Sequence, residues 1–351
     1  MTTFEVLQVE TVSGNVIASL PVTGIQYGET LNAAGSATVG VPLDAADPST
    51  LGPARSSLVV LRDGEPEWGG PLWTATADLA AGSLTLNASG WHSYYAARYL
   101  DMPGGYEGKT DQALLLRAWI EHSNDNHGIG TDTSHLTTTG KIRSRKWGFA
   151  EFKNIAEAIN ELADEDGGFD FRYQTHWANS RKTRIGHRLL KDERVSLRFP
   201  ALTHRVDADV TSVAYDGSRM GSTAVAFGAD MGTGVKPYHV VANPRSGPAL
   251  TQVATYADLK STADLVPKAA ALGAMSRQPI AIPTLSLYPG VYASGSFLPG
   301  AWGSVNADAG YVQLLEDFVI TERRHTVDTN GTETVALSLA SKEVFISGDS
   351  S

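Results

Sequence analysis

The 351-residue sequence contains no cysteine. That excludes disulfides, thiol nucleophiles, iron–sulfur clusters and cysteine-ligated zinc. Charged residues are scarce at 19%, yet the hydrophobic fraction of 42% is too high for a disordered chain. No segment approaches the ~18 uninterrupted apolar residues of a membrane-spanning helix. The start, Met1-Thr2-Thr3-Phe4-Glu5-Val6, lacks the basic region and apolar stretch of a signal peptide. We therefore expect synthesis in a cytoplasm, no standard export and no membrane anchor. Cations are outnumbered: 28 Lys+Arg against 38 Asp+Glu give a formal net charge of −10. A general nucleic-acid binder needs the opposite sign to neutralise phosphates.

Motifs that carry chemistry are also missing. Gly221-Ser222 is not flanked as a nucleophile elbow requires. The Gly-rich stretch 228–234 lacks the strand–Gly–helix context that cradles phosphate. The densest carboxylate cluster is Asp164-Glu165-Asp166, with Glu161 one turn earlier. A hydrolase could use such groups. Their place at the C-terminal end of a predicted helix, where the macrodipole disfavours negative charge, reads first as a solvated helix end. His122, His127 and His135 could be taken for a metal set, but no His-Glu-x-x-His accompanies them. No catalytic, cofactor-binding or metal-ligating residue is therefore assigned, and neither enzymatic activity nor a cofactor is expected.

Two basic–aromatic patches remain, Lys141, Arg143, Arg145 and Lys146 before Trp147, and Arg181, Lys182 and Arg184 after Trp177. In an acidic chain they read as solvated loop charges or salt-bridge partners before nucleic-acid contacts. Trp68, Trp73 and Trp91 lie among hairpins, where sugar platforms can be built, although core packing is the commoner use.

What the chain does have is glycine, 35 residues. That exceeds the usual share of roughly 7% and points to a turn-rich β protein. Short strands separated by turn residues fill the first hundred positions and suggest a small barrel or sandwich. Helices are expected over Asp111–Ser123, with Leu114, Leu115, Ala118, Trp119 and His122 on one face, and over Phe149–Glu165. In the second, Phe152, Ile155, Ala156, Ile159, Leu162 and Ala163 form an apolar stripe that Gly167-Gly168 stops. Phe169, Phe171 and Tyr173 alternate as a strand, which Arg184–Leu190 should pair. Residues 124–141 and 228–248 read as irregular loops, suited to neighbour contacts. A capping box at Thr255-Tyr256-Ala257-Asp258 predicts a helix to Met275, kinked at Pro267. Strands resume over Ile280–Leu287, Trp302–Val305, Val312–Thr326 and Thr334–Leu339, the last two joined at Asn330-Gly331.

An internal echo accompanies this order. Thr23–Tyr27 is matched by Thr211–Tyr215, Ser36–Val39 by Ser222–Val225, and Leu84–Ser89 by Leu337–Ser341. Two related β modules follow from it, with Tyr27 and Tyr215 at equivalent positions. The fold class is thus mainly β with α+β insertions. We expect a first barrel-like domain at 1–100 and an α+β accessory domain at 101–205. A second barrel-like domain spans 206–235 and 279–345, interrupted by a helical insertion at 236–278. Residues 346–351 form a flexible tail.

An ordered set of segments then acquires meaning. It comprises Ser13-Gly14-Asn15-Val16-Ile17-Ala18-Ser19-Leu20-Pro21, Tyr27–Ala37, Trp68-Gly69-Gly70-Pro71-Leu72-Trp73, Gly90-Trp91, the aromatic run His92–Tyr99 and Asp166-Gly167-Gly168-Phe169-Asp170-Phe171. The set resembles the minor tail protein, or baseplate (tail-tip) hub, family of long-tailed phages that infect actinobacteria. It covers most of the chain and is strongest over residues 1–175. The resemblance implies a structural virion protein: a homotrimer of two barrel-like hub domains in a pseudo-sixfold ring, plus accessory α/β domains. Such a hub joins the hexameric distal tail protein to the tip and contacts the tape-measure protein and other tail-tip or fibre proteins. It implies no catalytic residues. DNA would pass through its channel without specific binding, which the net acidity suits. The alternatives are a tail-associated cell-wall-degrading enzyme using Glu161, Asp164, Glu165 or Asp166, and a receptor- or carbohydrate-binding tail module using Trp68, Trp73 or Trp147.

Overall fold

The computed structural model describes residues 2–165, 167–230, 232, 235–243, 248–256, 261–277, 279–288 and 295–342. The chain opens with seven strands: β1 (Phe4–Glu10), β2 (Val16–Leu20), β3 (Gly24–Thr30), β4 (Ser36–Pro42), β5 (Ser56–Arg62), β6 (Glu65–Asp78) and β7 (Ser83–Ser89). All pair antiparallel, in the order β3-β4-β7-β6-β5-β1-β2. Alternation in β4 and β7 turns Ala37, Val39, Val41, Leu84, Leu86 and Ala88 inward, around Leu58, Val60 and Leu72. The Gly-Gly after Trp68 is a packing requirement. A Cβ on Gly70 would lie 2.0 Å from the Ser89 carbonyl oxygen, and one on Gly69 2.9 Å from Thr175 Oγ1.

The middle of the chain is α+β: α1 (His92–Tyr95), β8 (Tyr106–Asp111), α2 (Gln112–Asp125), β9 (Ile142–Trp147), α3 (Ile155–Asp164), β10 (Phe169–Trp177) and β11 (Ile185–Glu193). The expected hairpin of β10 with β11 forms, Phe169 opposite Glu193 and Trp177 opposite Ile185. Asp111 caps α2 by accepting from Ala113 N at 2.9 Å. The buried face of α2 keeps Leu115 and Trp119 of the expected one but is completed by Gln112, Ala113, Leu116, Ile120 and Ser123, and Leu114 is exposed. The helix expected from Phe149 begins only at Ile155. Phe149–Glu151 make a single 3-10 turn, and the chain bends through Phe152 at φ +42°. Asn154 then caps α3, its Oδ1 accepting from Glu157 N at 3.1 Å. Phe152 is thereby left off the apolar stripe, which the remaining five residues fulfil. Outward residues of β1 and β5, namely Leu7, Val9, Val59 and Leu61, pack against Trp91, Ile129 and Ile185 and hold this unit to the first strands.

The rest comprises β12 (Leu202–Thr203), β13 (Ala208–Asp216), β14 (Thr223–Phe227), β15 (Tyr238–Ala242), β16 (Thr251–Thr255), α4 (Thr262–Met275), β17 (Ile280–Leu287), β18 (Trp302–Ala309), β19 (Val312–Val327) and β20 (Glu333–Ser341). Strands β13-β17-β20-β19 continue the large sheet, and β18 pairs with β19 and β12. Their core gathers Leu285, Val305, Phe318, Ile320, Leu337 and Leu339. Three expectations change here. The stretch 228–248 contains a strand, β15. Thr255 ends strand β16 and α4 starts at Thr262, continuous through Pro267; Ala257 and Asp258 of the expected capping box lie outside the described residues. Thr223–Phe227 does not enter the large sheet but pairs with β15 and β16, under α4. Its small side chains Ala224 and Ala226 allow the close approach of Leu265 and Ala269. The fold is thus mainly β, with its helices in the middle unit and beside β14.

The pairing order is repeated. The series β3-β4-β7-β6-β5 has its counterpart in β13-β17-β20-β19-β18. Where β6 pairs with β7 and β19 with β20, the long strands carry corresponding register shifts, between Leu72 and Thr74 and between Ile320 and Glu322. Aligning these shifts sets Tyr27 against Val213, two residues from the expected match with Tyr215. It sets Leu86 against Leu337, again two residues from the sequence echo. The counterpart of β4 is β17, not Ser222–Val225.

Candidate functional site

The two series meet where β3 pairs antiparallel with β19. This joint, not any residue flagged from sequence, holds the densest buried charge. Arg323 stands opposite Glu29 and His325 opposite Tyr27. Arg323 Nη2 donates to Glu29 Oε2 at 2.7 Å and lies 3.6 Å from Glu67 Oε1. Glu333, at the start of β20, accepts from Arg62 Nη2 and meets His325 Nδ1, both at 2.7 Å. Glu67 is 3.9 Å from Arg62 and 3.8 Å from His325. Strands from both series therefore contribute: Arg62, Glu67 and Glu29 from one, Arg323, His325 and Glu333 from the other. A cavity of about 920 Å³ opens over the six.

The electrostatics suit a joint better than an acid–base site. Burial alone would raise the Glu333 carboxyl, but the His325 hydrogen bond and the charges of His325, Arg62 and Arg323 hold it below its ordinary value. Burial disfavours the Arg323 cation, yet Glu29 and Glu67 overcome this and strengthen its protonation. Burial, then the charges of Glu67 and Glu333, pushes the Tyr27 phenol far up, so it stays neutral. Glu29, Glu67 and Glu333 each have an arginine beside them. A one-residue slip of β19 would turn Arg323 and His325 to the opposite face and strand the carboxylates, so the cluster selects the register.

The acidic cluster at the end of α3 is ion-paired. Glu161 meets Lys153 Nζ at 2.6 Å, Glu165 pairs with Arg143 and Arg145, and Asp164 lies 4.0 Å from Arg194. Asp166 lies outside the described residues. His122 binds Asp101 at 2.8 Å and His135 binds Arg188 Nη1 at 2.9 Å. Among the described residues no group of three or more His, Asp or Glu is placed to hold a metal ion. The basic patches serve the chain itself: Lys146 meets Glu107, Lys182 meets Glu65, and Arg184 Nε donates to the Ser13 carbonyl. Trp68 and Trp91 are buried, and Trp73 and Trp147 are half-buried. Trp68 Nε1 donates to the Gly28 carbonyl (3.0 Å), Trp91 Nε1 to Thr175 Oγ1 (2.9 Å) and Trp73 Nε1 to Ser93 Oγ (2.8 Å). Trp147 packs on Trp119, ring centres 5.5 Å apart.

The joint escaped sequence reading because Glu29 and Arg323 lie 294 residues apart. One signal was present: Glu322-Arg323-Arg324-His325 places four polar residues inside a strand, too many for one solvent face.

No protein-family model matches the chain, and no curated protein sequence does. Solved structures do. The 43 kDa tail protein of prophage MuSo2 from Shewanella oneidensis superposes with a TM-score of 0.61 at 11% identity, covering 97% of this chain and 99% of that one. A tail protein from Neisseria meningitidis gives 0.61 at 14%, covering 99% and 98%. The prophage tail protein gp18 from Listeria monocytogenes gives 0.56 at 14%, covering 97% of each. At such identities the likeness shows the fold: this chain has, over its whole length, the fold of phage tail proteins.

Proposed function

We propose that the chain is a structural protein of a phage tail tip, a trimeric hub that joins the distal tail ring to the tip. One observation carries this: a fold shared over at least 97% of the chain with three tail proteins, two of them from prophages, contains its own strand series twice. Three copies then present six similar β units, which lets a threefold protein seat against a hexameric ring. On this basis residues 1–100 form one hub unit, and 206–235 with 279–345 the other. Residues 101–205 form the accessory α+β unit, and 236–278 an insertion whose strands β15 and β16 pair with β14 of the second hub unit. The partners are the distal tail protein, the tape-measure protein and other tail-tip or fibre proteins. The place of action is the virion tail tip after assembly in the host cytoplasm. The motif order from Ser13 to Phe171 favours an actinobacterial host. The net charge of −10 suits a channel that DNA passes without adhering.

Mass spectrometry of purified particles should find the chain in virions, and its solution mass should be that of three copies. A protein absent from particles sinks the proposal. The rival of an envelope-degrading enzyme has less support, since Glu161, Asp164 and Glu165 are all engaged by cations. Clearing on host cell-wall zymograms that Glu165→Gln abolishes would revive it.

A further inference from the structure

The repeat leaves two strand edges unmatched. Within the chain, β3 of the first series pairs with the C-terminal half of β19 in the second. The counterpart of β3 is β13, which ends the large sheet and, among the described residues, pairs there only with β17. The counterpart of that half of β19 is Thr74–Asp78 of β6, which among the described residues pairs only with β7.

The exposure of the two halves differs sharply. Along β19, Arg323, His325 and Val327 are buried where β3 covers them. All five residues Thr74–Asp78 are exposed on both faces. Leu79, one step on, is 82% exposed, whereas its counterpart Val327 is 5% exposed. Two unpaired edges of this kind normally demand cover, because open edges invite pairing with other chains.

We infer that β13 of one copy pairs antiparallel with Thr74–Asp78 of a second copy, repeating between chains the β3·β19 junction within each chain. This rests on the trimeric hub reading above and names the surface that would build it. The register follows from the internal one. The pairs Thr38↔Asn87↔Thr74 and Thr284↔Ser338↔Glu322 align the series, and Gln26↔Thr38 with Ser212↔Thr284 extends the match to β13. The pairs Arg324↔Gly28, His325↔Tyr27 and Thr326↔Gln26 then become Thr76 opposite Ala214, Ala77 opposite Val213 and Asp78 opposite Ser212. The two edges differ, so the contact is head-to-tail and propagates until a ring closes.

The absence of cysteine makes the test clean. Chains carrying Ala77→Cys are co-expressed with chains carrying Val213→Cys, and Thr76→Cys chains with Ala214→Cys chains. Successive antiparallel pairs alternate between wide and close spacing, so one of the two combinations meets disulfide geometry. On mild oxidation that combination should give a covalent two-chain species on a non-reducing gel, while each variant alone gives none. Val213→Pro removes the N–H that, as the counterpart of Tyr27, faces the open side of β13, and it should reduce the assembly to single chains with an unchanged circular dichroism spectrum. Assemblies that form without either cross-link overturn this junction but leave the hub reading intact. Single chains at every concentration overturn the junction, and absence from virions overturns the hub reading itself.

Discussion

The imidazole of His325 lies flat on the phenol of Tyr27, ring centres 4.6 Å apart and planes 4° from parallel. The two are direct cross-strand partners at the joint between the β series. The Tyr27 ring is fully buried, and among the described residues its hydroxyl has no hydrogen-bond partner. Tyr27→Phe keeps the stack and removes a desolvated hydroxyl, so it should raise stability by about 1 kcal/mol. Tyr27→Ala should lower it by about 3–5 kcal/mol, as large aromatic truncations do. Urea midpoints measure both, and a clear loss in Tyr27→Phe would refute the account of the hydroxyl.

Arg323 is the buried cation of the joint, shared by Glu29 and Glu67. Arg323→Met strands two carboxylates and should cost about 3–5 kcal/mol. Adding Glu29→Gln should recover part of this, with a coupling of about 1–3 kcal/mol. Strictly additive losses in a double-mutant cycle would show that the pair does not act as a unit.

Two buried histidines set an acid limit on stability. Burial lowers His92 to about 4, with the Asn160 hydrogen bond opposing, and lowers His187 to about 3, aided by the charge of His176. The unfolded chain binds protons near pH 6.5 and the folded chain does not, so stability is full above that pH. It falls toward pH 4 by about 1.4 kcal/mol per pH unit per histidine. The depressed Glu333 adds its loss only below its unfolded value of 4.5. Unfolding midpoints from pH 7.5 to 4.5 therefore avoid the Glu333 loss, while burial raises Asp170, which opposes the histidines at the acid end. The double variant His92→Gln, His187→Gln should flatten that slope, and an unchanged slope would contradict the assignment.

The indole N–H groups of Trp68 and Trp91 are spent inside the chain. Trp68→Phe and Trp91→Phe should each cost about 1–2 kcal/mol through the lost hydrogen bond. Neither should alter glycan-array binding. Glycan binding lost in a folded variant would restore the carbohydrate-binding alternative.

Much of the local structure was legible in residue order. Ile280–Leu287 has the expected bounds, because alternation and Pro279 delimit it. The stripe from Ile155 to Ala163 and the alternation of Phe169 and Phe171 also give their elements directly. The errors cluster where a local signal had a competitor. Asn154 caps α3 well after the expected start at Phe149, and Phe152 lies outside the helix. Thr255 completed a strand that its neighbours β14 and α4 stabilise.

By itself the sequence determined the β-rich class, most strand positions and the twofold echo. Those depend on periodicity and turn chemistry within a dozen residues. Only the tertiary structure decided which strands meet. It put β14 with β15 and β16, joined β3 to β19, and shifted the echo by two residues. Partner choice is a long-range match of edges and charges. Arg323 and His325 look solvent-facing in a strand until Glu29, Glu67 and Glu333 arrive from distant segments to neutralise them.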